Sequence, residues 1–120
     1  MEIEKKGDLD SNWEDIYTLL KNGDWKAAGE FCEKRMRDSY KSPTFLTAVK
    51  CVRFWSNAYE EADLAVNKYL HAQKLTAAWG SFAGHFHDQF STFERGVHLI
   101  RRKVFADALL DFLQILHEDT

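Results

Sequence analysis

The sequence has few of the residues that interrupt helices or cross-link a chain. It contains one proline, Pro43, and six glycines in 120 residues. An all-β domain needs turn signals every ~8–12 residues, so this scarcity argues against a sandwich or barrel. The two cysteines, Cys32 and Cys51, have no metal-ligand spacing, and this favours buried free thiols.

Long apolar runs and a strong net charge are also missing. No run approaches the ~20 apolar residues that span a bilayer, and the charged residues 1–6 are not followed by the apolar stretch of a signal peptide. The formal net charge of -3 gives no general attraction to nucleic acid or anionic lipid. We therefore expect a cytoplasmic protein with no nucleic-acid or membrane partner.

What is present is apolar periodicity at helical spacing. A first helix is predicted over about 12–21, opened by the capping pair Ser11 and Glu14 and closed by Asn22-Gly23. A second helix follows Asp24, over about 25–39. Ser42-Pro43 then opens a third helix to about Trp55, where Ser56-Asn57 is expected to break it. A fourth helix carries Tyr59 to Leu70.

The stretch 77–102 is open to two interpretations. Its aromatic and aliphatic residues recur every three or four positions, which would suit one long helix. Gly80 and Gly84 each cost about 1 kcal/mol in a helix interior, and Ser91-x-x-Glu94 has the form of a capping box. We favour two pieces, near 77–87 and from about 91. A last helix over 104–117 should turn six residues inward: Phe105, Ala108, Leu109, Phe112, Ile115 and Leu116.

Together these elements predict one all-α domain over 1–120, with six to seven helices and residues 1–10 frayed. An aromatic-x-x-Ala pattern recurs in it, as Trp25/Ala28, as Tyr59/Ala62 after 34 residues, and as Phe105/Ala108. It resembles the tetratricopeptide repeat, whose second helix opens with a Gly-Asp-Tyr-x-x-Ala-like signature. The best match is Asn22-Gly23-Asp24-Trp25-Lys26-Ala27-Ala28.

The resemblance implies antiparallel hairpins stacked as a short, irregular superhelix. Its units would cover about 11–42, 43–76 and 89–118, with an insertion over 77–88. First helices of this family line a groove that binds peptides of other proteins. Eight residues match groove positions and would bind the partner: Trp13, Tyr17, Lys21, Cys51, Phe54, Trp55, Phe93 and Arg101.

The resemblance therefore implies a non-catalytic scaffold that binds an apolar or amphipathic segment of another protein, with no cofactor. Self-association as a homodimer and a place within a longer repeat array stay open as alternatives. A metal-dependent enzyme is the weakest reading, because only His85-Phe86-His87-Asp88 groups potential ligands, and histidines two apart point to opposite sides of a helix. We predict no catalytic residue and no metal site.

Overall fold

The computed structural model describes residues 13–38 and 42–118. Every regular element within these ranges is a helix, and no strand occurs in them. The predicted all-α class is therefore confirmed. The frayed segment predicted for residues 1–10 and the predicted Ser11 cap lie outside the described residues.

The first two helices, α1 (13–22) and α2 (Trp25–Asp38), are joined by Gly23 and Asp24. Gly23 has a φ of +76°, in the left-handed region that glycine adopts without strain. The N–H of Gly23 donates to the carbonyl oxygen of Leu20 at 3.1 Å, and the N–H of Asp24 donates to the carbonyl oxygen of Leu19 at 2.9 Å. These bonds satisfy carbonyls at the end of α1, which confirms the predicted ending.

The third helix, α3 (Pro43–Ala62), begins as predicted. Ser42 is extended at φ -76° and ψ 115°, and its hydroxyl accepts from the N–H of Phe45 at 3.4 Å. Pro43 occupies the first turn, where its missing N–H leaves no intrahelical bond unmade.

The predicted break at Ser56-Asn57 is wrong, because α3 continues to Ala62. Serine and asparagine cost at most about 0.7 kcal/mol each in a helix. Trp55 and Ala62, on either side of the expected break, are fully buried. Burying a large apolar side chain contributes about 1.5–3 kcal/mol, so packing outweighs the local preference.

The predicted fourth helix is consequently divided between two elements. Tyr59 lies in the last turns of α3, whereas Leu70 belongs to α4 (Lys68–Phe86). The cap of α4 is Asn67, whose side-chain oxygen accepts from the N–H of Leu70 at 2.8 Å.

The second half of the chain has fewer helices than predicted. Helix α4 runs through Gly80 and Gly84, so 77–87 is not a separate piece. A 3-10 segment, His87–Phe93, leads into α5 (Glu94–Glu118), which is unbroken where a boundary near 103 was expected. The described residues thus form five α-helices, α1 to α5, and the 3-10 segment that joins the last two. The prediction of six to seven stacked helices is wrong.

The core lies between helices that are neighbours along the chain, with α2 on α3, α3 on α4, and α4 on α5. Trp55 is at its centre, with ring centroids 5.4–6.3 Å from those of four aromatic neighbours, Trp25, Tyr59, Trp79 and Phe82. Helices α4 and α5 are antiparallel, since His71 contacts Asp111 and Trp79 contacts Phe105. The start of α4 therefore lies beside the C-terminal half of α5.

Candidate partner-binding surface

Three of the eight residues predicted to bind a partner lie in the core. Cys51 and Trp55 are fully buried and Phe93 is 2% exposed. Phe54 is half-buried, and its ring packs against Phe82 at 5.3 Å between centroids. Because a buried side chain contacts a partner only if the core opens, Cys51, Trp55 and Phe93 belong to the interior in this structure and not to a groove.

Trp13 and Tyr17 attach α1 to the rest of the molecule. Trp13 stacks on Phe45 at 4.6 Å between ring centroids, and its ring lies 5.7 Å from that of Phe93. The Arg95 guanidinium lies 4.3 Å from the centre of the Tyr17 ring, a cation–π contact. Both predicted binding residues are half-buried in this aromatic cluster, which joins α1, α3 and the start of α5.

Lys21 and Arg101 are exposed, as a binding role requires. The predicted set is nevertheless not assembled on one surface. Trp13, Tyr17 and Phe93 share one aromatic cluster, and among the described residues no ring contact joins it to Phe54 and Trp55. Of the eight residues, Arg101 alone lies next to the apolar surface described next.

The largest run of exposed apolar side chains lies on the C-terminal half of α5. Phe105, Leu109, Phe112 and Leu116, with the adjacent Leu113, form a stripe that we call the α5 face. Their exposures are 41%, 57%, 40%, 62% and 52%. Spacing of four, three and four residues places the first four on one side of the helix. Exposed apolar residues grouped in this way are typical of interaction sites.

The prediction that Phe105, Leu109, Phe112 and Leu116 point inward is wrong. Of the six residues expected to do so, Ala108 is buried and Ile115 is half-buried. Apolar residues surround more than half of the helix here, and the rest of the described chain covers only the side that carries Val104 and Ala108. Six large apolar side chains of α5 stay exposed: Phe105, Leu109, Leu110, Phe112, Leu113 and Leu116.

Helix α4 borders the α5 face along its length. The Tyr69 ring, 55% exposed, lies 6.4 Å from that of Phe112, and the Trp79 ring lies 5.8 Å from that of Phe105. The apolar surface therefore continues from α5 across the seam onto α4.

An open cavity of about 850 Å³ extends this surface toward the start of α5. Trp79 and Phe90 supply its apolar lining, and Arg101, His98 and Glu94 are among its polar residues. Arg101 lies one helical turn before Phe105, so the cavity and the α5 face are continuous. The combined surface is cationic and aromatic at one end and aliphatic at the other.

The opposite flank of α5 carries a polar cluster between three helices. The Tyr59 hydroxyl donates to Oδ2 of Asp107 at 2.7 Å, and Nζ of Lys103 lies 3.1 Å from Oδ1 of the same residue. His71 places Nδ1 2.5 Å from Oδ2 of Asp111, whose side chain is 7% exposed.

His71 also faces a second carboxylate, with Nε2 2.9 Å from Oδ1 of Asp63. Partial burial by itself lowers the pKa of His71, but the hydrogen bonds to Asp111 and Asp63 outweigh it and raise the pKa above the ordinary histidine value. Since both ring nitrogens face carboxylate oxygens, the geometry favours the imidazolium form. Burial, followed by the hydrogen bond to Asp107, likewise raises the pKa of Tyr59.

The groups with the greatest chemical reactivity offer little to a substrate. Cys32 and Cys51 are free and buried, and burial raises the pKa of each thiol to about 12. Such thiols stay protonated and poorly nucleophilic. Within 13–38 and 42–118 no three His, Cys, Asp or Glu side chains are grouped to hold a metal ion. None of the described helices has the length and apolarity that crossing a bilayer demands.

No known family model, curated protein or solved structure matches this chain. Arguments about its role therefore depend on its own surfaces.

The α5 face was missed because its residues were assigned to the core. A signal was present in the sequence. Of the 13 residues from Val104 to Leu116, eight are large and apolar, two are alanines and three are aspartate or glutamine. An apolar stripe wider than the ~100° that one helix needs for its own core indicates a second covering surface.

Proposed function

We propose that this chain is a non-catalytic helical module that binds an apolar or amphipathic segment of another protein. The observation that carries the proposal is the α5 face, whose four in-line residues have the spacing with which one helix packs on another. Tyr69 and Trp79 of α4 widen this surface into one that a helix could lie along.

We also propose a tetratricopeptide-like arrangement of its hairpins. Support comes from the first unit, where Trp25 and Ala28 are buried at the start of α2, directly after the Gly23 turn. The other two copies of the aromatic-x-x-Ala pattern do not open a helix. Tyr59 and Ala62 lie at the end of α3, and Phe105 and Ala108 lie within α5. The proposal of a repeat therefore depends on the first unit.

The binding site proposed is the α5 face and not the predicted groove. Truncating exposed leucines there should remove the docking surface without opening the core. Leu46, also an exposed leucine, provides a matched control, because it lies near the start of α3, beside Phe45 and the Trp13 cluster.

The test uses a designed helical peptide with leucines at the same four-three-four spacing, labelled for fluorescence anisotropy. We expect Leu109→Ser to weaken its binding at least about tenfold, because a buried leucine contributes about 1.5–3 kcal/mol. Leu46→Ser should bind like the original chain, and a scrambled peptide should not bind. Equal binding by the Leu109→Ser and original proteins would show that the α5 face is not the site.

A further inference from the structure

We infer that the partner segment is an acidic amphipathic helix, whose apolar side covers the α5 face while its carboxylates lie against Arg101 and Arg102. This inference rests on the proposed function and adds the chemistry of the partner. It follows from how charge is distributed around α5.

Two arginines of α5, Arg101 and Arg102, are exposed at one end of its apolar surface. Arg101 and Arg102 lie in the turn before Phe105, and neither forms an ion pair with another described residue. His98 lies one turn earlier, also exposed, and lines the same cavity as Arg101. Arg95, by contrast, is already paired with Glu14 at 2.9 Å.

The acidic residues in the middle of α5 are turned away from this surface and bound to other residues. Between Arg95 and His117 they are Asp107 and Asp111 alone. Asp107 is bound by Tyr59 and Lys103, and Asp111 is bound by His71 on the flank that faces α3 and α4. Glu94 is the acidic residue of the cavity, two turns from Arg101.

This distribution discriminates between occupants. A second copy would bring the same α5, whose Asp107 and Asp111 are already bound within their own chain, so that only Glu94 and Glu118 at the ends of the helix could approach Arg101 and Arg102. An acidic amphipathic helix would cover the exposed leucines with its apolar stripe and would pair its carboxylates with the two arginines. The four-three-four spacing of the α5 face matches the side-chain rows of another helix, whereas an anionic lipid surface has no regular rows of side chains. The spacing therefore favours a helical partner.

The experiment compares three labelled peptides with the same leucine stripe and with glutamate, glutamine or lysine at one end. We expect the glutamate peptide to bind about five- to tenfold more tightly than the lysine peptide at low salt, as for a few solvent-exposed charge pairs. Added salt should reduce the difference. Arg101→Glu combined with Arg102→Glu should reverse the preference, whereas Arg37→Glu, an exposed change on α2, should preserve it.

Each result decides one part of the scheme. Equal binding of the three peptides, still lost in Leu109→Ser, would overturn the acidic partner and leave the proposed function standing. No binding by any peptide would overturn the proposed function itself. A dimer in light scattering that the glutamate peptide cannot dissociate would assign the surface to a second copy. Binding to phosphatidylserine vesicles that Leu109→Ser abolishes, without peptide binding, would assign it to a membrane.

Discussion

At the residue scale, His71 connects three parts of the fold. Its ring lies between Asp63, which follows the last residue of α3, and Asp111 of α5, while its own backbone is in the first turns of α4. Two carboxylates facing the two ring nitrogens stabilise the doubly protonated ring. The histidine therefore joins the α3–α4 turn to α5 most strongly when it is charged.

This geometry predicts how stability depends on pH. The pKa of His71 is raised in the folded chain, so its contribution to the free energy of unfolding is complete below the ordinary histidine pKa of 6.5. The contribution should be lost as the pH rises through the higher, folded-state pKa. His71→Gln should lack this loss, so the original and variant proteins should converge in stability as the solution becomes more alkaline.

Urea unfolding at a series of pH values measures the difference directly. His85→Gln is the control, because His85 is exposed on α4 and no described carboxylate pairs with it. Its pH profile should follow that of the original chain. A constant gap between the original chain and His71→Gln across the series would contradict the proposed charged contact.

At the scale of the element, the glycines of α4 and α5 have opposite environments. A Cβ added at Gly80 or Gly84 meets nothing within 4 Å apart from the adjacent residues and the backbone of its own helix. A Cβ at Gly96 would clash with Cζ of Phe93, whose buried ring is held against Trp13 and Tyr17. The same substitution should thus have opposite effects in the two helices.

We expect Gly80→Ala and Gly84→Ala each to raise the free energy of unfolding by about 0.5–1 kcal/mol, the gain in helix propensity. Gly96→Ala should lower it by about 1–3 kcal/mol, since overpacking of the Phe93 ring outweighs that gain. Denaturant titration of the three variants measures both signs in one series. Stabilisation by Gly96→Ala would mean that the Phe93 cluster is loosely packed.

Helix boundaries that local backbone chemistry determines could be predicted from the sequence, whereas those that packing determines could not. Ser42-Pro43 and Gly23 act through local backbone chemistry, so the residues themselves determine the start of α3 and the end of α1. Ser56 and Asn57 are weak breakers, and the burial of Trp55 and Ala62 by distant helices decides that α3 continues. Asn67 is a typical helix cap, but a helix predicted from Tyr59 to Leu70 places it in a helix interior, so the start of α4 was not predicted.

At the scale of the whole molecule, the described helices have more apolar surface than they cover among themselves. Periodicity could predict that α5 carries many apolar residues, but not which of them the other helices would reach. That choice depends on where α4 crosses α5, which packing alone determines. The eight predicted binding residues were chosen by their match to groove positions of the repeat family. Such a match does not show that Trp55 lies at the centre of an aromatic core.

A comparison of two leucines tests whether the α5 face is uncovered in solution. Leu75 of α4 is fully buried, so Leu75→Ala should lower the free energy of unfolding by about 2–5 kcal/mol. Leu109 is 57% exposed, so Leu109→Ala should change it by no more than about 1 kcal/mol. Thermal or urea unfolding at low protein concentration measures both. If Leu109→Ala were as costly as Leu75→Ala, and its cost rose with protein concentration, the face would already be buried between copies. Association stabilises a folded chain more as the concentration of its partner rises.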